Sequence, residues 1–187
     1  MGHCSKMSHS PSPQELKEEG MRLFRQGNHK QALAAFEQAT AAFAAQNDVG
    51  NQAEMLNNMG VILRVQGEMD TAVATLTQAA ALFAQIEDAN RHAQTLGNLG
   101  DIYASQKKYS EAARHYSDAA AQFAQSNEKE NQAQVLRALS LMELRRGQWL
   151  AAILRMQESL QVRPRLSLPQ QLFKWLLRFA TRLLGGQ

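Results

Sequence analysis

Apolar residues recur three and four positions apart along most of the chain, as in Leu96, Leu99, Gly100 and Tyr103, the period of a helix with one buried stripe. The stripe is interrupted at intervals. Gly27, Gly67 and Gly147, with Lys107 standing in the third place, mark short turns, after which a second periodic stretch begins. Each second stretch sets a small residue four positions before a large one, as in Ala112 and Tyr116. The pattern predicts pairs of antiparallel helices and no strands.

The pairs repeat. Gly20, Gly60 and Gly100 lie 40 residues apart and Ser140 continues the series. In the same register stand Leu16, Leu56, Leu96 and Leu136; Ala32, Ala72, Ala112 and Ala152; and Phe36, Leu76, Tyr116 and Met156. Two further columns read Ala39, Ala79, Ala119 and Ser159, then Phe43, Phe83 and Phe123. Each column keeps its size class, which is what close packing requires: small residues let two helices approach, and a large side chain fills the space beside them. One such hairpin buries too little to stand alone, whereas stacked hairpins share a continuous core.

Leu96, Gly100, Tyr103, Ala112, Tyr116 and Ala119 together resemble the tetratricopeptide repeat family. The resemblance implies an all-α, right-handed superhelix of four hairpins over residues 14–164, with units at about 14–52, 53–92, 93–132 and 133–164. Three units are longer than the family's usual length of about 34 residues; they look like the 40-residue form of kinesin light chains and related scaffolds. The fourth is shorter, ending at Pro164. Glu19, Arg64 and Glu143 depart from the family pattern.

The family implies a concave face, lined by the first helix of each pair, that holds an extended or helical peptide from a partner. In register that face presents Lys17, Asn57, Asn58, Asn98, Asp101 and Arg137, with Gln14, Glu18, Met21, Glu54, Val61, Gln94, Gln134 and Leu141 beside them. In the long-repeat form, asparagines matching Asn58 and Asn98 bond the backbone of a bound peptide, a role an amide fills because it offers both donor and acceptor. The competing reading is that both only solvate an exposed face. A clamp for a terminal carboxylate fits at Lys17 but meets Met21 where the family pattern has asparagine.

Composition sharpens parts of this picture. Aromatic residues make up 6% of the 187 residues and alanine is abundant, favouring closely packed helices over a sheet sandwich. The single cysteine, Cys4, lies in a leader, residues 1–13, expected to be disordered, so no internal disulfide forms. No secretory or organelle address and no membrane-spanning run is evident, which makes the cytoplasm the expected location, with peripheral membrane attachment the alternative. Charge is asymmetric: residues 1–133 carry 11 Lys and Arg against 15 acidic residues, and residues 134–187 carry 9 against 2.

After Leu166 to Pro169 the pattern predicts a last helix over Gln170 to Leu184, within a C-terminal segment, 165–187. Lys174, Arg178 and Arg182 recur every fourth residue, and Leu172, Phe173, Trp175, Leu176, Leu177, Phe179, Leu183 and Leu184 cover the rest. Leaving that many large apolar groups in water forfeits on the order of 10 kcal/mol. The segment is therefore expected to cap the array, pair with a second copy into a homodimer, or lie on an anionic membrane surface, with Phe173, Trp175, Leu176, Phe179, Lys174, Arg178 and Arg182 as the contact residues.

No catalytic constellation stands out. The histidines His3, His9, His29, His92 and His115 do not pair at metal-ligand spacing, and His29 aligns with Met69, Tyr109 and Trp149, a packing position. Gly2 and Cys4 approach a lipidation signal that Lys6 breaks. Nucleic acid is disfavoured: the basic end lacks a base-reading motif or an aromatic platform. The expectation is a non-enzymatic adaptor or scaffold, without cofactor or metal, that binds a protein segment in its groove. The alternative is a membrane-peripheral assembly factor anchored or dimerised through the last helix.

Overall fold

The computed structural model describes residues 11–185, with side chains as far as Phe179. The helices are α1 (Pro13–Arg25), α2 (His29–Ala45), α3 (Val49–Gln66), α4 (Met69–Gln85), α5 (Ala89–Ser105), α6 (Tyr109–Gln125), α7 (Lys129–Arg145), α8 (Trp149–Val162) and α9 (Leu168–Gly185). No strand occurs among the described residues. The first eight helices form four antiparallel hairpins, each packed on the next.

Side chains cap the starts of α1, α3 and α5. Ser12 and Glu15 form a reciprocal capping box ahead of Pro13: Glu15 N–H donates to Ser12 Oγ at 3.2 Å and Ser12 N–H to Glu15 Oε2 at 2.7 Å. Asp48 caps α3 by accepting from Asn51 N–H at 3.0 Å, and Asp88 caps α5 by accepting from Arg91 N–H at 2.9 Å. The Asn51 side chain and backbone donors hold the Asp48 carboxyl below its usual pKa. These caps start α3 at Val49 and α5 at Ala89, while α7 starts at Lys129 with no side-chain cap from Glu128. Each start lies a turn ahead of the unit boundary set by the 40-residue columns.

Helix ends are set by one repeated turn. Left-handed residues stand every 20 positions: Gly27 (φ 77°), Asn47 (56°), Gly67 (84°), Glu87 (56°), Lys107 (60°), Asn127 (58°) and Gly147 (75°). In each turn the next residue donates back to a carbonyl five positions earlier, as in Asn28 to Leu23 at 2.9 Å and Lys108 to Tyr103 at 2.9 Å. This is a Schellman ending at every link, within hairpins and between them. The links at Asn47, Glu87 and Asn127 carry no glycine, so the sequence pattern did not mark them. A side chain at positive φ costs about 1–2 kcal/mol, partly offset by glycine's greater chain entropy. Lys107→Gly is therefore expected to raise the thermal midpoint by about 2 °C, while Lys108→Gly, one residue on at ordinary φ, lowers it.

The small-residue columns sit at the closest helix crossings. A Cβ on Gly20 would lie 2.5 Å from the Phe36 ring, on Gly60 2.5 Å from Leu76 Cγ, and on Gly100 2.7 Å from the Tyr116 ring. Phe36, Leu76 and Tyr116 are buried, as are Phe43, Phe83 and Phe123 of the next large column. In the fourth hairpin the small positions are serines, and both buried hydroxyls are satisfied: Ser140 donates to the Ala152 carbonyl and Ser159 to the Ala133 carbonyl, each at 2.7 Å.

After Val162 the chain turns into α9, which packs against α8. Gln170, Lys174 and Leu177, spaced four and three apart, form the face turned towards the array; Leu177 is buried and Lys174 Nζ donates to the Leu160 carbonyl at 3.4 Å. Leu168, Leu172, Trp175, Leu176 and Phe179 are exposed on the opposite side. Lys174, one of the basic residues that recur every fourth position, is half-buried against the end of α8.

Candidate functional site

The odd helices line the inner side of the stack. α3 touches α5 and α5 touches α7 across hairpin boundaries, while no comparable contact joins successive even helices among the described residues. Closer approach on one side curves the array, and the odd helices form the concave surface.

Along that surface the helices are tied laterally by side chains. Between α1 and α3, Lys17 pairs with Glu54 at 2.8 Å and donates to Asn51 Oδ1 at 2.9 Å, and Asn58 Nδ2 reaches Met21 Sδ at 3.7 Å. Between α3 and α5, the Asn57 carbonyl accepts from Thr95 Oγ1 at 3.1 Å and from Asn98 Nδ2 at 3.0 Å, Arg64 pairs with Asp101 at 3.2 Å, and Arg91 reaches Glu54 at 3.6 Å. No side-chain hydrogen bond or ion pair joins α5 to α7 among the described residues.

The ladder stops at Gly97. This residue shares a column with Lys17, Asn57 and Arg137, so where the second hairpin has an asparagine bridging to Thr95 and Asn98, the third has no side chain. The positions facing it on α7 are Val135 and Ala138, which offer nothing to bridge to. Gly97 also differs from the packing glycines: a Cβ there would meet only Val135 Cγ2, at an ordinary 3.7 Å. The gap is a cavity of about 420 Å³ floored by Gly97, Val135 and Ala138 and walled by Gln94, Asn98, Asn131 and Gln134. A cavity of about 380 Å³ bordered by Asn57, Asn58 and Arg91 adjoins it at Gln94, and a smaller one near Leu141 and Arg145 adjoins it at Asp101. The three lie side by side along the inner surface from α3 to α7.

Asp101 stands at the junction with both oxygens engaged, accepting from the Tyr116 hydroxyl at 2.7 Å and from Arg64 at 3.2 Å. Burial, reinforced by the Asp101 hydrogen bond, pushes the Tyr116 hydroxyl well above its ordinary pKa, so it remains a donor. This three-helix knot fixes the floor of the groove.

The residues expected on this face thus divide. Lys17 is spent on α3, the Asn57 carbonyl is spent on Thr95 and Asn98 while the residue still borders a cavity, Asp101 is held by Arg64 and Tyr116, and Asn58 and Asn98 line the cavities with their carbonyls unengaged. Arg137 is exposed and has no hydrogen-bond or ion-pair partner among the described residues. Sequence reasoning passed over Gly97, Thr95 and Asn131. A signal for Gly97 was available: a glycine inside a helix yet outside the small-residue column.

Elsewhere, Phe173, Trp175, Leu176 and Phe179 are exposed on α9 beside Arg178, and the Arg182 side chain falls outside the described residues. So do Cys4, His3 and His9. Burial lowers the pKa of His115, which stacks on Tyr103 at 5.2 Å. Among the described residues no cluster of His, Cys, Asp or Glu could hold a metal ion, and no helix is long and apolar enough to cross a membrane.

The family model for the tetratricopeptide repeat matches residues 51–125 and 93–165, overlapping spans that cover more than half of the chain. Among solved structures the chain is similar to the crystal structure of BtubC (BKLC) from P. vanneervenii, with a TM-score of 0.73 and 18% sequence identity over 85% of this chain and 71% of that one. At that identity the likeness is one of fold. No curated protein sequence matches the chain. With hairpins stacked around a small-residue core, three of them in the long, 40-residue form, the chain belongs to the tetratricopeptide repeat family.

Proposed function

We propose that the chain is a non-enzymatic scaffold that binds an extended segment of a partner protein along α3, α5 and α7. Tetratricopeptide arrays generally mediate protein–protein interaction, and the finer reading rests on the break in the lateral ladder at Gly97. There the groove keeps four carboxamides, Gln94, Asn98, Asn131 and Gln134, around an open notch. An extended peptide presents unpaired N–H and C=O groups in alternation, and amides can answer both. Three odd helices at roughly 10 Å spacing give a track of about 20 Å, which matches about six residues of extended chain at roughly 3.3 Å each. The apolar floor at Val135 and Ala138 suits a medium-sized apolar side chain from the bound segment.

A second reading, a membrane-peripheral assembly factor attached through α9, is favoured by a separate feature, the outward apolar face of that helix. It uses none of the groove residues.

The groove reading is tested by selecting binders for the full chain from a random peptide library of about twelve residues, long enough for the six-residue track. Selected peptides are then titrated while the side-chain amide resonances of Asn98 and Gln134 are followed. Specific shifts at both are expected. A selection that yields no binder, or binders that perturb only α2, α4 and α6, overturns the reading.

A further inference from the structure

We propose that the exposed face of α9 docks on an anionic lipid surface, with the helix lying in the plane of the interface. Three observations carry this. First, Leu168, Leu172, Trp175, Leu176 and Phe179 follow helical spacing on the side away from α8, and Trp175 and Phe179 are 60% and 54% exposed, so the apolar stripe is not used as a cap. Second, the chain from Ser159 to Gln187 holds no acidic residue, whereas Arg163, Arg165, Arg178 and Arg182 are basic in addition to Lys174, which is turned to the Leu160 carbonyl. Third, Trp175 stands at mid-helix with the Phe179 ring stacked against it at 6.1 Å, and tryptophan, apolar in body with a polar N–H, settles at the headgroup level.

Charge selects between the occupants such a stripe admits. Pairing two copies through this face would bring two wholly basic segments together, with no acid in either to offset the repulsion. An anionic bilayer instead supplies the counter-charge, and each cation near the surface strengthens binding about fivefold. α9 has 18 residues, and no helix among the described residues is long and apolar enough to span a membrane, so the attachment is peripheral. The inference rests on the second reading, to which it adds the lipid chemistry and the orientation of the helix, and it is independent of the groove, since peptide capture uses α3, α5 and α7.

The test is flotation of the full chain with vesicles of phosphatidylcholine alone or containing about 30% phosphatidylglycerol, at low salt and at about 300 mM salt, where screening is stronger. Recovery with the anionic vesicles is expected to exceed that with neutral ones by at least about tenfold. Added salt should reduce it. The double variant Trp175→Gln/Phe179→Gln should lose it while keeping the thermal midpoint of the parent, because both side chains are exposed in the free protein. Equal recovery with neutral vesicles, recovery unaffected in the double variant, or no flotation overturns the proposal. In the last case, a concentration-dependent dimer in light scattering assigns the face to a second copy, and a monomer assigns it to neither.

Discussion

Gly60→Val is expected to destabilise the array by about 3 kcal/mol or more. A Cβ at this position would stand 2.5 Å from Leu76 Cγ and 2.7 Å from Leu76 Cδ2, so even alanine requires something to shift. Leu76 has no free space to move into, because it is fully buried. Intrinsic helix preference acts the other way, since replacing an interior glycine with alanine ordinarily gains about 1 kcal/mol. The outcome for Gly60→Ala therefore shows which effect wins, and loss is expected, because overpacking a closed crossing costs about 1–3 kcal/mol. Leu76→Ala alone leaves a cavity and costs about 2–5 kcal/mol. Together, Gly60→Ala and Leu76→Ala should cost less than their sum, since the new methyl enters the space the leucine vacates. Urea denaturation of the two single variants and the double variant measures that coupling. Gly60→Ala as stable as the parent would mean that the first and second helices of a hairpin are held apart by something other than this crossing.

That contact also shows why the fold was largely legible in the sequence. Close crossings demand a small residue opposite a large one, and the demand returns with each hairpin, so Gly20, Gly60, Gly100 and Ser140 announce themselves by spacing. The turns were half legible. Gly27, Gly67 and Gly147 mark left-handed endings openly, whereas Asn47, Glu87 and Asn127 adopt the same φ with side chains that carry no such mark. The groove was legible as a surface but not as a set of free groups. Whether Asn57 or Asn98 is available depends on what stands about 40 positions away in the next hairpin: Thr95 and Asn98 engage Asn57, while Val135 and Ala138 offer no counterpart. The tail was legible as an amphipathic helix, but its orientation was not. α8 ends in backbone carbonyls without intrahelical partners, at the negative end of its dipole, and Lys174 turns inward to the Leu160 carbonyl there. With Leu177 buried beside it, that contact goes with an apolar face turned outward, an orientation that depends on the neighbouring helix and is invisible in the pattern of α9 alone.

The second large effect is expected at Gly97, where the same kind of substitution should act with the opposite sign on stability. Gly97→Leu puts a side chain into the notch between α5 and α7, where the nearest neighbour of its Cβ is Val135 Cγ2 at 3.7 Å. It gains helix preference and apolar contact with Val135, so the array should become about 1 kcal/mol more stable. The same side chain occupies the space enclosed by Gln94, Asn98, Asn131 and Gln134, so peptides selected for the groove should bind at least about tenfold more weakly, a loss of about 1.4 kcal/mol or more. Stability gained while binding is lost separates a ligand site from a packing defect, because a packing glycine such as Gly60 loses on substitution. A subtler variant rebuilds the missing link: Gly97→Asn with Val135→Thr and Ala138→Asn copies the Asn57, Thr95 and Asn98 arrangement one hairpin along. It should close the notch with hydrogen bonds instead of a methyl cluster and block the same peptides. Calorimetric titration of both variants alongside the parent decides the matter: if affinity survives in both, the bound segment does not enter the gap, and the break in the ladder at Gly97 serves the curvature of the array instead of its ligand.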